Sequence, residues 1–161
     1  FFQAEDGIRA CLLSRGLGDV YKRQVLSFVA VGLIWTIQLV HYPSMRYISK
    51  DKFPAYHNFH SIRISILAMP LMFGELVTSI MLWYQNFNNA IQTVFLVNLI
   101  IVVLIWLSTF LIQVPLHNAL SKEKNTEKIS KLICTNWIRT ILWTSRSILM
   151  ILFLAFAMDL I

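Results

Sequence analysis

Four histidines carry most of the acid–base capacity of this chain, and their placement is uneven. His41, His57, His60 and His117 all fall beside two short charged connections and not in the long apolar blocks between them. Gln38 stands one helical turn before His41, and Gln113 one turn before His117. Thr109 and Asn98 extend the second stripe. Further on, Asn136, Arg139, Trp143 and Arg146 recur at i, i+3, i+7 and i+10, which is one narrow helical face. Glu75 follows His57 by five helical turns and points the same way. Imidazoles exchange protons near neutral pH and can ligate metals. A guanidinium can hold an oxyanion, and amides and an indole can orient a polar aromatic molecule.

The surroundings of these residues define the solvent. The chain has 161 residues, 57% of them hydrophobic and 14% charged, against about 25% charged in a soluble domain. The mean hydropathy is +0.64. Apolar residues come in blocks long enough to span a bilayer, and the charges gather between them. The net charge of +6 suggests no nucleic acid, because the basic residues sit beside the spans, where they set orientation and meet anionic headgroups. Cys11 and Cys134 offer no CxxC spacing, so neither a disulfide framework nor a thiolate site is expected.

Residues 1–24 read differently from the rest. Gln3–Arg9 (QAEDGIR) and Ser14–Gln24 (SRGLGDVYKRQ) resemble the translation of sequencing-library adapter ends. The expectation is a non-native leader, with the native part starting near Val25 inside a first helix. That part, residues 25–161, keeps ten Lys/Arg against five Asp/Glu.

The elements that must position the chemistry are four transmembrane helices, expected at about 25–42, 53–84, 90–114 and 127–158. His41-Tyr42-Pro43 ends the first, because a residue before proline is pushed out of helical geometry, and Pro115 stands near the end of the third. Asp51 is a candidate cap for the second helix, Pro54 fits its first turn, and Pro70 with Gly74 predicts a kink. The fold class is an all-α, antiparallel up-down four-helix bundle. A shift of 76 positions superposes His41 on His117 and Arg63 on Arg139, which suggests two duplicated hairpins.

The positive-inside rule puts the 1–2 and 3–4 loops in the cytoplasm and both native termini outside, in a bacterial cytoplasmic membrane. A charge near the bilayer centre costs roughly 2.5–3.5 kcal/mol, so Glu75 and Arg146 are expected to face inward and pair. The polar stripes then converge on a cavity open to the cytoplasm, lined by His41, His57, His60, His117, Gln38, Gln113, Asn136, Arg139, Trp143, Arg146 and Glu75. The alternative reading of each is structural. Histidines also anchor at interfaces, amides also bond helix to helix, Arg139 can snorkel to headgroups, and Glu75–Arg146 can be an ion pair alone.

A di-metal carboxylate centre fits poorly, given the single buried carboxylate and the lack of Glu-x-x-His pairs. Haem or a single metal on His41 and His117 stays open as a cofactor, as does a hydrophobic, quinone-like ligand.

Gln113-Val114-Pro115-Leu116-His117-Asn118-Ala119-Leu120, followed by Asn136-Trp137-Ile138-Arg139, resembles small bacterial four-helix membrane proteins. It is similar, more distantly, to the anthrone-oxygenase-like membrane family, with His117 in place of that family's Asn. The resemblance implies a membrane bundle and chemistry on polycyclic or quinone-like substrates. Two functional classes follow. One is an oxidoreductase or oxygenase-like protein with its site at the cytoplasmic end. The other is non-enzymatic, either a small-solute permeation component or a structural partner in a complex. Homo-oligomerisation is open in both.

Overall fold

A computed structural model describes residues 24–85 and 89–159. The leader-like stretch before Gln24 and most of the short link between the second and third helices lie outside them. The described residues form four helices long and apolar enough to cross a membrane: α1 (Gln24–Tyr47), α2 (Phe53–Tyr84), α3 (Ala90–Leu120) and α4 (Thr126–Phe156). The chain is an integral membrane four-helix bundle. Residues such as Val40, Ile66, Leu111 and Phe156 stay well exposed on the outer faces, as lipid-facing positions must.

Two of the four helices run on through a proline and past their expected ends. Helix α1 continues through Pro43 to Tyr47, and α3 continues through Pro115 to Leu120. The reason is the same in both. A π-turn precedes each proline, at Ile37–His41 and at Thr109–Gln113, so that Tyr42 N–H bonds to Ile37 O and Val114 N–H to Thr109 O. A proline inside a regular α-helix clashes with the carbonyl four residues back. The wider π-turn takes in one extra residue there and lets the helix continue. It also rotates everything that follows. Buried positions on α3 step by three or four up to Ser108 and then jump by five to Gln113. Without that jump Leu120 would leave the core.

The shared device also sets the register of the two hairpins. Pro43 and Pro115 stand 72 residues apart, so the backbone repeat does not follow the 76-residue offset suggested by sequence. Helix α2 passes through Pro70 and Gly74 as a single α-helix. Its N-cap is Lys52 and not Asp51, and no side chain caps it; Pro54 occupies the first turn. Helix α4 is capped instead, by Asn125 Oδ1 accepting from Lys128 N–H at 2.9 Å. Gln24, the last residue of the leader-like stretch, is buried in α1 and donates to the Ser147 carbonyl at 3.1 Å.

The core is built in layers along the bundle axis. Met45, Phe53, Leu120, Ile129 and Leu132 close the end nearest the charged connections, and each is completely buried. Ala30, Ile34, Met72, Ile105 and Trp143 pack at mid-height. Leu82, Phe95, Met150 and Leu154 fill the far end. In lipid this packing gains little from the hydrophobic effect, so close fit and interhelical polar bonds must hold the helices together. One such bond ties the loops. Lys124 Nζ donates to the carbonyls of Arg46 (2.9 Å) and Ile48 (2.7 Å) at the end of α1, satisfying acceptors that a helix terminus leaves free. Lys124→Met is expected to lower stability by about 1 kcal/mol, the usual net worth of exposed hydrogen bonds, as a thermal melt of detergent-solubilised protein would show.

Candidate functional site

Two polar layers interrupt the apolar stack, and they differ in how completely their groups are satisfied. The first lies between mid-height and the far end. Glu75 of α2 pairs with the Arg146 guanidinium of α4, and both are almost fully buried. The second Glu75 oxygen accepts from Trp143 Nε1 at 2.7 Å. Arg146 Nε donates to Asn98 Oδ1 at 2.8 Å, and Asn98 Nδ2 donates to Ser79 Oγ at 3.1 Å. A second guanidinium nitrogen reaches Ser79 Oγ at 3.4 Å. The network joins α2, α3 and α4, its charges cancel, and both carboxylate oxygens have donors. It is a latch.

The second layer lies towards the charged loops, roughly 25 Å along α2 from the first at 1.5 Å per residue. Here the π-turns and the prolines after them bring α1 and α3 into place. Tyr42 and His117 meet, with the phenol oxygen 2.9 Å from His117 Nε2. His117 Nδ1 is 3.0 Å from His57 Nε2. The result is a continuous Tyr42–His117–His57 chain across three helices. His41 stacks on His60 with ring centroids 3.7 Å apart, and the Tyr56 ring lies nearly parallel to His41 with centroids 5.9 Å apart. Arg139 lies beside the Tyr42 hydroxyl and over the Trp143 ring, 5.3 Å from its centroid. It is only 7% exposed, so it does not snorkel to headgroups. Arg63 does face outward, above Phe59.

Several buried atoms in this layer lack a hydrogen-bond partner: His41 Nε2, His57 Nδ1, His60 Nε2, Gln113 Oε1, Asn136 Oδ1 and Arg139 Nε. Buried polar atoms are normally paired, and this layer holds six of the eleven unpartnered ones among the described residues.

A cavity of about 270 Å³ lies against this layer. Of the residues expected to line it, Gln113, His117, Arg139 and Trp143 do so, joined by Tyr42. The others have different work. Gln38 and Asn136 bond each other at 2.7 Å, and Gln38 also reaches the Ile133 carbonyl at 3.1 Å, which is interhelical bonding. His41, His57 and His60 stand behind His117, while Glu75 and Arg146 belong to the latch.

The buried Met45, Phe53, Leu120 and Leu132 pack at the end nearest the loops, so the exposed wall of the cavity lies mostly on the flank between α2 and α3 and reaches the loop end only at Asn118. Its exposed lining residues are Ser65 and Met69 of α2 and Phe110, Val114 and Asn118 of α3.

Metal ligation by His41 and His117 finds no support in this geometry. Both His117 nitrogens are engaged, and His41 lies flat on His60. Among the described residues no group of three or more His, Cys, Asp or Glu side chains could hold a metal ion. Tyr42 is the residue that sequence reasoning missed. Its inward position follows the π-turn at Ile37–His41, which leaves no signature in residue type.

Comparison with family models, curated proteins and solved structures finds no match to this chain.

Removing one member of a buried ion pair strands the other, at a cost of about 3–5 kcal/mol, whereas an apolar replacement of both is often neutral. Arg146→Met alone should therefore destabilise the protein by that amount. Glu75→Leu combined with Arg146→Met should recover most of the loss. Thermal unfolding of the single and double variants, read as a cycle, checks this.

Proposed function

We propose that this membrane protein binds a lipophilic small molecule carrying a carbonyl or phenolic oxygen and moves a proton to or from that oxygen. The carrying observation is the Tyr42–His117–His57 chain, one end of which lines a mostly apolar cavity beside Arg139. Small-molecule sites share this make-up, a mostly apolar wall with a few convergent polar groups.

The chain supports two hydrogen arrangements. In one, Tyr42 O–H donates to His117 Nε2 and His117 Nδ1–H donates to His57 Nε2. In the other, both bonds are reversed, and the phenol oxygen accepts from His117 while its own hydrogen is free for the ligand. A proton given by the ligand to the Tyr42 oxygen sends the Tyr42 proton to His117 Nε2 and the His117 Nδ1 proton to His57 Nε2, and His57 then carries the charge as an imidazolium. Arg139, charged at any physiological pH, stabilises oxygen that gains negative charge during that shift.

This is the acid–base half of chemistry on quinone-like compounds. It agrees with the oxidoreductase or oxygenase-like class suggested by the resemblance to the anthrone-oxygenase-like family. The site lies at the end that bears Arg46, Lys50, Lys52, Lys122 and Lys124, and we assign that end to the cytoplasmic face of a bacterial cytoplasmic membrane.

Two experiments test this reading. Film voltammetry of the protein with a bound naphthoquinone should give well-coupled proton and electron transfer. Tyr42→Phe and His117→Ala should keep the quinone bound but slow its proton-coupled conversion by about 100-fold, within the usual range for a positioned acid–base group. Unchanged peak separation in both variants removes the relay. For orientation, Lys50→Cys in a Cys11→Ser, Cys134→Ser background should escape an impermeant maleimide in intact cells and react after lysis. Labelling of intact cells would invert the topology.

A further inference from the structure

The charge balance of the interior identifies the ligand more closely. In the latch, Glu75 and Arg146 neutralise each other. Arg139 has no carboxylate partner among the described residues, although it is 93% buried. It is held by a phenol and an indole face, and its Nε–H has no acceptor. A buried guanidinium without a counter-charge is costly at this depth. It lines the cavity. The missing anion has room there.

The route into the cavity follows from where its wall is exposed. Helices α2 and α3 pack closely along residues 90–108 and make few contacts beyond the Thr109–Gln113 π-turn. Ser65, Met69, Phe110 and Val114 frame the gap, all exposed and all within membrane-spanning segments. The apolar layer of Met45, Phe53, Leu120 and Leu132 packs at the end towards the loops. A cavity of 270 Å³ is below the roughly 300–1,000 Å³ of most small-molecule sites. It takes a head group and the first part of a chain, while the remainder lies in the bilayer.

We propose that the ligand is a membrane-dissolved amphiphile with a single oxyanion head, which enters sideways between α2 and α3 and places that head on Arg139 while its apolar tail stays among the lipids. The proposal rests on the same cavity as the function above and adds the charge of the ligand and its path. A carboxylate on an alkyl chain and an ionised hydroxyquinone share this chemistry.

The test uses the full chain in phosphatidylcholine nanodiscs, with empty nanodiscs as the blank. Four probes are compared: hexadecanoate, hexadecanol, an alkylated hydroxynaphthoquinone that is anionic at neutral pH, and its methyl ether. At least one anion is expected to bind well above its neutral counterpart, and the one that does identifies the source. Arg139→Gln should weaken that anion by about 10- to 100-fold, the worth of charge-assisted hydrogen bonds in a buried site. Arg139→Lys, which keeps the charge and loses the planar fork, should fall between. Ser65→Trp at the gap should block binding, and Leu104→Trp, on the lipid face away from the cavity, should not.

Equal binding of anionic and neutral probes, indifference to Arg139→Gln, or the same thermal protection from chloride alone overturns the oxyanion head. Undiminished uptake in Ser65→Trp overturns the lateral route. In the first case neutral naphthoquinone binding would still uphold the function proposed above. Failure of all four probes would remove both.

Discussion

A polar group inside hydrocarbon has to find its partner within the protein, and this constraint organises the bundle. Between apolar helices in lipid there is no solvent-driven tendency to associate. What distinguishes one face from another is which face carries groups that cannot meet acyl chains. The Glu75–Arg146 latch meets the requirement in full, with the carboxylate, guanidinium, amide, hydroxyl and indole drawn from α2, α3 and α4. Such a closed network fixes helix rotation and register, because any slip would leave a charge unpaired.

The layer nearer the loops follows the same rule incompletely. Its histidines, its glutamine and Arg139 share fewer partners than they have donors and acceptors. Trp143 connects the two layers, donating its indole N–H to Glu75 and offering its ring face to Arg139. One residue therefore belongs both to the satisfied network that holds the bundle together and to the unsatisfied one that faces the cavity. Rigidity in the first positions the second, as a site built on packed helices requires.

The two π-turns convert this division into a site. Each absorbs the clash of a proline and rotates the helix end beyond it. The rotation carries Tyr42 inward on α1 and aligns His117 with it on α3. π-turns concentrate at functional positions in helices generally, and here they assemble the hydrogen-bonded chain. The same irregularity accompanies the parting of α3 from α2, so the relay and the gap at the cavity wall share one cause.

Much of the fold was legible in the residues themselves. Apolar blocks broken by two basic connections determine four spans, because charge and hydrocarbon exclude each other over any stretch long enough to cross. The bounds of α2 and the inward faces of Glu75, Asn136, Arg139, Trp143 and Arg146 follow from the same energetics combined with helical periodicity. Proline was misleading at Pro43. The rule that a helix stops before it assumes a regular turn upstream, and the extra π residue is a property of packed backbone that no single side chain announces. Only the tertiary structure could place Tyr42 beside His117, divide the polar residues into a closed latch and an open cavity, and turn most of the exposed wall of that cavity from the loops to the flank. Each of these depends on the rotation of one helix against another, and that is settled by contacts between residues far apart in the chain.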